Sequence, residues 1–236
     1  LEFRRVLFRS MVSEAIYRHE YKYYINDCDC EMLSRRLGVV MKRDPHTGPD
    51  GTYLIRSLYF DNYNDRALLE KINGDNPRSK FRIRIYNGRA DFICLEKKVK
   101  RDDLTQKLSA RITKEEYDKI VKGDIDWMLH DGRGVVAELY AQMKGYSLRP
   151  KTLVEYTRYP FIYEAGNVRV TLDTDIRTGI NSIDLFDPTP LVPTPGYDVL
   201  EVKYDRFLPD IIKYMLTPVC RDRQSMSKYE LCRTYG

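Results

Sequence analysis

Residues that alternate between hydrophobic and polar predict a series of β-strands along this chain. A period of two places successive side chains on opposite faces of a strand. The predicted strands are residues 17–25, 53–60, 80–86, 91–100, 151–161, 168–176 and 197–205. Asn87-Gly88, between the third and fourth of these runs, predicts a tight hairpin turn. A sheet of about eight antiparallel strands, closed into a barrel without exposed edges, is the simplest arrangement.

Other segments have the periodicity and end signals of helices. Asn26 can cap a helix that carries apolar residues on one face and ends at Gly38. Thr113 begins the capping-box sequence Thr-Lys-Glu-Glu, which predicts a second helix. Further helical patterns cover residues 135–143, 208–216 and 225–233. The predicted fold is therefore α+β, a closed antiparallel β-barrel with accessory helices.

The length of 236 residues and the hydrophobic content of 42% fit one domain. We expect residues 1–10, LEFRRVLFRS, to be a cloning or sequencing remnant before Met11, and residues 11–236 to be the domain. The remnant contributes +2 of the net charge of +5, so the remainder has only +3. This mild excess does not indicate a nucleic-acid-binding protein, and any preference for anions must come from where the basic side chains point.

The cysteines indicate a reducing compartment, and the hydropathy pattern contains no candidate for a membrane-spanning helix. The five cysteines form neither a CxxC pair nor a zinc-like cluster, and their odd number disfavours a disulfide framework. No stretch approaches the roughly 18 consecutive apolar residues of a membrane-spanning helix. We expect a cytoplasmic protein, and a membrane partner at the inner face of the membrane stays open.

Charged residues share one face on several predicted strands. Arg82 and Arg84 lie on the same face of their strand. On each of three other strands, a glutamate and the lysine two positions later share a face. The latter pairs are Glu20 with Lys22, Glu96 with Lys98, and Glu201 with Lys203. If these faces converge inside a barrel, like charges about 4 Å apart cost roughly 4 kcal/mol per pair, and the lumen needs a polyanion. A solvated outer face rich in Lys and Arg is the alternative.

The residue types in this pattern suit a chain of phosphates. Guanidinium groups bind phosphate oxygens in bidentate fashion, and ammonium groups act as point charges. A carboxylate among these cations, Glu20 or Glu201, can hold a divalent ion that bridges phosphate oxygens. A structural ion pair with the neighbouring lysine is the alternative for each glutamate.

Spaced motifs along the chain resemble those of the VTC domain. They are RHEYKY (18–23), SLYFD (57–61), FRIRIY (81–86), LEKK (95–98), EYTRYPF (155–161), RVTLD (169–173), LEVKY (200–204) and SKYE (227–230). This family contains the polyphosphate polymerase domain of the vacuolar transporter chaperone complex and bacterial relatives, and it belongs to the triphosphate tunnel metalloenzymes. The resemblance spans about residues 14–235, and a stand-alone bacterial protein fits it best.

The resemblance implies a tunnel that binds triphosphate and polyphosphate, with Glu201 as the metal ligand, and Glu20 remains a second candidate from the charge pattern. The implied phosphate ligands are Lys22, Arg82, Arg84, Lys98, Arg158, Arg169, Lys203 and Lys228, with Tyr156 and Ser227 as lesser ones. Lys107 is a weaker candidate, expected on the loop after the fourth strand. The eukaryotic pattern has a further lysine near Ser225, which this chain lacks, so one phosphate contact is expected to be missing.

The implied activity is an ATP-dependent polyphosphate polymerase that transfers the terminal phosphoryl group of ATP to a growing chain. Lys98, Arg158 and Lys203 would neutralise the charge that develops on the transferred group, with Mn²⁺ or Mg²⁺ as cofactor. Its ligands would be ATP, pyrophosphate and polyphosphate. A triphosphatase of the same fold and a non-catalytic polyphosphate-binding module are the alternatives.

Overall fold

A computed structural model of the chain describes residues 18–102, 104–179, 182–219 and 225–235. The described residues form ten β-strands and six α-helices. The strands are β1 (Arg18–Ile25), β2 (Lys42–Arg43), β3 (Tyr53–Asp61), β4 (Arg78–Tyr86), β5 (Ile93–Arg101), β6 (Leu104–Ile112), β7 (Arg149–Tyr163), β8 (Val168–Gly179), β9 (Val192–Pro193) and β10 (Asp198–Tyr204). The helices are α1 (Asp27–Val40), α2 (Arg66–Ile72), α3 (Lys114–Lys122), α4 (Gly134–Tyr146), α5 (Asp210–Leu216) and α6 (Lys228–Thr234). No helix in these ranges is both long and apolar enough to cross a membrane.

Eight of the strands close into an antiparallel barrel, which confirms the predicted fold class. Their order is β7-β3-β4-β5-β6-β1-β10-β8, and β8 pairs with β7 to complete the ring. The two-residue strands β2 and β9 extend the sheet from β7 and β8. The seam between β1 and β6 is the shortest, with Arg18 opposite Thr105 and His19 opposite Leu104. Closure leaves each barrel strand with one face towards the lumen and one face outward.

The outer face is apolar, and helices cover it on two sides. On one side the outward residues of β4 and β5 pack against α3 and α4, and Ile83, Leu95, Tyr117 and Leu139 are all buried there. On the other side β8 and β10 pack against α1 and α5 in a second cluster. Because the side chains alternate, burying one apolar face leaves the charged face of the same strands inside the barrel.

Helix α6 packs against the inner face of the barrel. The Tyr229 ring stacks on the inward-facing Tyr59 ring, with 5.1 Å between the centroids. The Tyr229 hydroxyl donates to Asp61 Oδ2 at 2.5 Å. The same carboxylate accepts from the backbone N–H groups of Ala67 (2.8 Å) and Leu68 (3.2 Å) at the start of α2. Asp61 thus ties the end of β3 to both helices and fixes where α6 enters the lumen.

Local signals predicted some element ends correctly and others wrongly. Asn26 and Thr113 both form the capping boxes expected of them. Gly38 does not end α1, which continues to Val40 because the Met41 N–H still donates to the Leu37 carbonyl. The Asn87-Gly88 turn is present, with φ values of 51° and 67°, but β5 begins only at residue 93, so the connection is longer than a tight hairpin. Strand β6 and helix α2 were missing from the sequence prediction.

Candidate active site

Two glutamates and three lysines form one connected charge cluster on the lumen wall. The register of β1 and β10 places Lys22 opposite Glu201 and Glu20 opposite Lys203. Lys22 Nζ lies 3.0 Å from Glu20 Oε1 and 3.6 Å from Glu201 Oε2. Lys98 Nζ, from β5, donates to both oxygens of Glu20 at 2.8 Å, and Lys203 donates to Glu201. Each carboxylate is therefore shared between two cations.

Glu96 on β5 organises the neighbouring part of the wall. Arg82 donates to Glu96 Oε2 from Nε at 2.7 Å and to the Tyr59 hydroxyl from NH1 at 2.8 Å. Lys107 Nζ donates to the other oxygen of Glu96 at 3.1 Å. Glu96 and Lys98 share one face of β5, as the alternation predicts, and each binds a residue of another strand: Glu96 binds Arg82, and Lys98 binds Glu20. The register places Arg82 directly opposite Glu96.

Arg84 is held by neutral groups instead of a carboxylate. Its Nε donates to Ser57 Oγ at 3.0 Å and its NH2 to the Tyr156 hydroxyl at 3.1 Å. The closest carboxylate oxygen, on Glu96, is 3.8 Å from NH1, which is beyond hydrogen-bond distance. The guanidinium is buried and oriented, and Glu96 interacts with it without a hydrogen bond. It is the arginine best prepared to receive an anion.

A buried triad occupies the wall beside Arg84. Arg158 donates to both oxygens of Asp173, from Nε at 2.6 Å and from NH2 at 2.7 Å. Lys228 Nζ, at the start of α6, lies 2.6 Å from Asp173 Oδ2. The Asp173 side chain has no solvent exposure. The triad therefore anchors the first turn of α6 to β7 and β8 through charge.

The pKa values follow from burial and from this crowding of cations. Burial raises the pKa of Glu201, but Lys203, Lys22 and Lys98 outweigh it and hold that pKa well below its usual range. The pKa of Glu20 is lowered as well, against burial, by Lys22 and Lys98. Burial lowers the pKa of Lys98 to about 8 although Glu20 opposes it. Both glutamates are ionised at neutral pH.

Three cavities follow one another along the lumen. The outer vestibule has a volume of about 340 Å³ and is lined by residues that include Glu20, Lys71, Arg78, Lys80, Lys98 and Lys100. The tunnel centre, about 100 Å³, shares Lys22, Lys80, Lys98 and Ser227 with the vestibule. The aromatic chamber, about 360 Å³, is lined by residues that include Tyr53, Tyr86, Phe92 and Arg169. Alternate residues of β4 line the three cavities in turn, from Arg78 and Lys80 through Arg82 and Arg84 to Tyr86, so the vestibule and the aromatic chamber lie at opposite ends of the tunnel.

Most of the residues predicted from the sequence meet in the tunnel centre. Those lining it are Lys22, Arg82, Arg84, Lys98, Tyr156, Arg158, Glu201, Lys203, Ser227 and Lys228. Glu20 lines the vestibule. Arg169 lies apart, in the aromatic chamber, where it donates to Asp44 and to the Tyr53 hydroxyl at 2.7 Å. Lys107 is not on a loop as expected but on β6, and it reaches the wall only through Glu96.

The sequence prediction missed several residues of the site. Lys80 lines both the vestibule and the tunnel centre. It lies two residues before Arg82 on the same face of β4, so extending the alternating count by one step would have found it. Tyr59 and Asp173 contact the predicted arginines directly. Which residue each of them contacts depends on the order of the strands in the sheet, and the alternation along one strand gives no information about that order.

The residues present fit a weakly held divalent ion. Among the described residues no group of three or more His, Cys, Asp or Glu side chains is arranged to hold a metal. Glu20 and Glu201 are ionised, lie on adjacent strands and share Lys22. Mg²⁺ is usually bound through one or two carboxylates together with water and substrate phosphates. This donor set therefore fits an ion that arrives with a phosphate ligand.

Comparisons with known proteins agree with this geometry. The family model of the VTC domain matches residues 17–235. A protein from Hippeastrum is similar in structure, with a TM-score of 0.55 and 14% sequence identity. The match covers 93% of this chain and 95% of that protein, which is described as an adenylyl cyclase candidate with a dominant triphosphatase activity. An adenylate cyclase candidate from Bacillus halodurans gives a TM-score of 0.50, 14% identity, and coverage of 89% and 95%. At this identity the two structures show a shared fold. No curated protein matches the sequence.

Proposed function

This chain belongs to the VTC domain family, and we propose that it transfers the terminal phosphoryl group of ATP to a growing polyphosphate chain inside its tunnel. The observation that supports this most is the composition of the tunnel centre. Eight cationic side chains and one carboxylate line it. Such an excess of buried positive charge favours a ligand with several adjacent negative charges.

In the proposed reaction the protein positions phosphates and stabilises charge. Arg84 and Arg82 would hold the nucleotide's phosphates, because both guanidinium groups are fixed by hydrogen bonds to other wall residues. Arg158, Lys98 and Lys203 would neutralise charge on the phosphoryl group during transfer. Phosphoryl transfer needs mainly this alignment and electrostatic stabilisation, and no nucleophilic side chain is required.

Glu201 and Glu20 would hold the divalent ion, Mg²⁺ or Mn²⁺. Such an ion, when bound, neutralises charge on the oxygens of adjacent phosphates. The lysines now paired with these glutamates have a complementary role. When phosphate enters, Lys22, Lys98 and Lys203 can exchange part of their contact with the carboxylates for contact with phosphate oxygens. The shared ion pairs keep the lysines in place before the substrate arrives.

A triphosphatase is the second candidate, and one observation favours it. The Hippeastrum protein with the same fold is described with a dominant triphosphatase activity. The same cationic wall would serve if water instead of a phosphate chain accepted the phosphoryl group. The cavities at both ends of the tunnel support the polymerase instead, because a polymer needs room on both sides of the reacting phosphates. A binding module without turnover would need neither Glu201 nor a divalent ion.

The test is an assay with ATP, Mn²⁺ and a pyrophosphate primer, in which chain products are resolved on gels and free phosphate is measured. We expect long chains from the wild type. For Arg84→Ala we expect the rate of chain formation to fall about 100-fold or more, which is the usual effect of removing one donor that stabilises charge in the transition state. Arg35→Ala is the matched control, since Arg35 forms an exposed pair with Glu31 on α1. Phosphate release without chains would indicate the triphosphatase.

Glu201→Gln separates turnover from binding. The amide preserves size but removes the charge that would hold the ion, so we expect turnover to be lost and polyphosphate binding to be retained. Wild-type turnover in this variant would remove Glu201 from the metal role. If the wild type binds polyphosphate but forms neither chains nor free phosphate, the non-catalytic binding module is the function that remains.

A further inference from the structure

Lys80 differs from the other lysines that line the tunnel centre because it has no carboxylate partner among the described residues. The others each form an ion pair with a glutamate or an aspartate, and they are Lys22, Lys98, Lys203 and Lys228. Lys80 Nζ instead donates to Ser227 Oγ at 3.1 Å. The same atom lies 5.0 Å from the centre of the Tyr229 ring. Two neutral groups thus hold this amine in a wall of ion pairs.

Most of the charged groups that face Lys80 are cations. They lie on several elements and are Lys98 directly opposite on β5, Lys22 on β1, Lys71 on α2 and Arg78 on β4. Burial lowers the pKa of Lys80, Glu230 on α6 opposes the shift, and the nearby cations bring the pKa to about 7. Much of Lys80 is therefore a neutral amine near neutral pH. A lysine that is desolvated beside other cations can act as a nucleophile.

The vestibule gives a small reagent access to this amine. Lys80 is partly exposed and lines both the vestibule and the tunnel centre. The vestibule has a volume of about 340 Å³. Ser227 Oγ, which accepts from Lys80 Nζ, can as a hydroxyl also donate to an oxygen atom of a group attached to that nitrogen. An added group would therefore find both space and a hydrogen-bond donor.

The surplus of cations around Lys80 selects the kind of reagent that fits. An acyl donor converts a lysine into a neutral amide, and an aldehyde converts it into an imine, so neither product carries a negative charge. Carbon dioxide converts a neutral amine into a carbamate, which is an anion. Opposite charges attract strongly where solvent is scarce. The cations that destabilise a protonated Lys80 would therefore stabilise a carbamate in its place.

We propose that Lys80 is a modification site at which its amine reversibly binds carbon dioxide and forms a carbamate that faces the vestibule. The nitrogen lone pair forms the new N–C bond, the π electrons of one C=O bond move to that oxygen, and one proton leaves the nitrogen for solvent. No oxidant or further reactant is needed. The inference goes beyond the proposed function, because it holds whether or not the tunnel transfers phosphoryl groups.

Lys98 on the facing strand provides an internal comparison. Burial lowers its pKa as well, to about 8, although Glu20 opposes the shift. Its Nζ donates to both oxygens of Glu20 at 2.8 Å, so a carbamate on Lys98 would place two anions side by side. The charge of the product thus favours modification of Lys80 over modification of Lys98.

The test incubates the protein with isotopically labelled bicarbonate, which supplies dissolved carbon dioxide, at about pH 8, above the pKa of about 7 of Lys80. Triethyloxonium then ethylates any carbamate and so fixes it, and mass spectrometry of peptides locates the label. We expect Lys80 to carry about fivefold more label than Lys98. We expect about 100-fold more than on Lys119, which is exposed on α3, because exposed lysines in general are almost fully protonated at this pH.

Three variants test the amine and its surroundings separately. Lys80→Met removes the amine and should abolish the label at this position. Arg78→Gln keeps the amine and removes one neighbouring cation, so we expect the label on Lys80 to fall about threefold or more. The matched control is Arg35→Gln, which removes an exposed cation paired with Glu31 on α1 and should leave the label unchanged. The urea midpoint of each variant verifies that it folds.

Two kinds of result would overturn the inference. Absence of bicarbonate-dependent label on wild-type Lys80, or equal label on Lys80 and Lys119, would show that no specific carbamate forms there. Equal label on Lys80 and Lys98, or wild-type label in Arg78→Gln, would reject the electrostatic argument for the site. The measurement uses neither ATP nor a phosphate compound, so its outcome is independent of the assay for the proposed function.

Discussion

Replacing Lys80 with methionine should stabilise the protein, and the gain should disappear at high pH. Methionine fills similar space without a charge. Burial lowers the pKa of Lys80, Glu230 opposes this, and Lys22, Lys71 and Arg78 lower it further, from the ordinary 10.5 to about 7. Lysine-to-methionine replacement removes the cost of keeping this ammonium group among other cations.

The magnitude follows from the two pKa values of Lys80. At about 1.4 kcal/mol for each tenfold change in proton affinity, the fall from 10.5 to about 7 corresponds to about 5 kcal/mol. Partial contact with solvent screens such interactions, so we expect about half of this, roughly 2.5 kcal/mol, as the gain at pH 7.

The sign of the pH dependence follows from proton binding by the two states. Below about pH 7 Lys80 is charged in the folded and the unfolded protein, and the full cost is present. Between about 7 and 10.5 the folded protein binds fewer protons than the unfolded one, so wild-type stability rises with pH through this window. The advantage of Lys80→Met therefore shrinks as the pH increases.

Urea unfolding at pH 7, 8 and 9 measures this difference directly. Lys119→Met, at an exposed position of α3, is the control for replacing a lysine with methionine. A Lys80→Met variant that is less stable than the wild type at pH 7, or whose advantage is constant from pH 7 to 9, would refute the reasoning.

Two further substitutions test the contacts that place α6 in the lumen. Asp173→Asn should lower the free energy of unfolding by about 3–5 kcal/mol, because Arg158 and Lys228 stay buried without their carboxylate. Added phosphate should restore part of the loss, and an unchanged urea midpoint would contradict this prediction. Tyr229→Phe should cost about 1–3 kcal/mol, since it removes the hydroxyl that Asp61 accepts from in a buried site, and a thermal unfolding midpoint equal to that of the wild type would show that this bond is not needed.

The alternation of side chains was sufficient to predict the barrel and the charged face of its main strands. It was not sufficient for β6, although the signal was present. Leu104, Leu108, Ala110 and Ile112 share one face of that strand. Leu108 and Ala110 are only partly buried at the edge of a core cluster, and the strand's other face is polar, so the run has weaker hydrophobic contrast than β3 or β10.

The position of α6 could not be predicted from local sequence. Its helical pattern was visible, but its place inside the barrel depends on three long-range contacts. Tyr229 reaches Asp61 on β3, Lys228 reaches Asp173 on β8, and Ser227 accepts from Lys80 on β4. Each contact joins residues far apart in the chain, and the loss in chain entropy on forming them is offset only by the complete fold. Ser227 and Lys228 therefore enter the site through tertiary structure.

The balance of charge along the lumen connects the stability of the barrel to its proposed ligand. In the tunnel centre Glu201, Asp173 and Glu96 each form ion pairs with two cations, which reduces the repulsion between the cations but leaves positive charge in excess. In the vestibule Lys80 lies opposite Lys98 on β5, and burial together with the neighbouring cations lowers the pKa of Lys80 to about 7. A phosphate chain bound beside Lys80 would raise that pKa again, so the protein would take up a proton near pH 8. Proton uptake on binding that is smaller in Lys80→Met than in the wild type would assign part of it to Lys80, and Lys98, whose pKa burial lowers to about 8, would account for the rest.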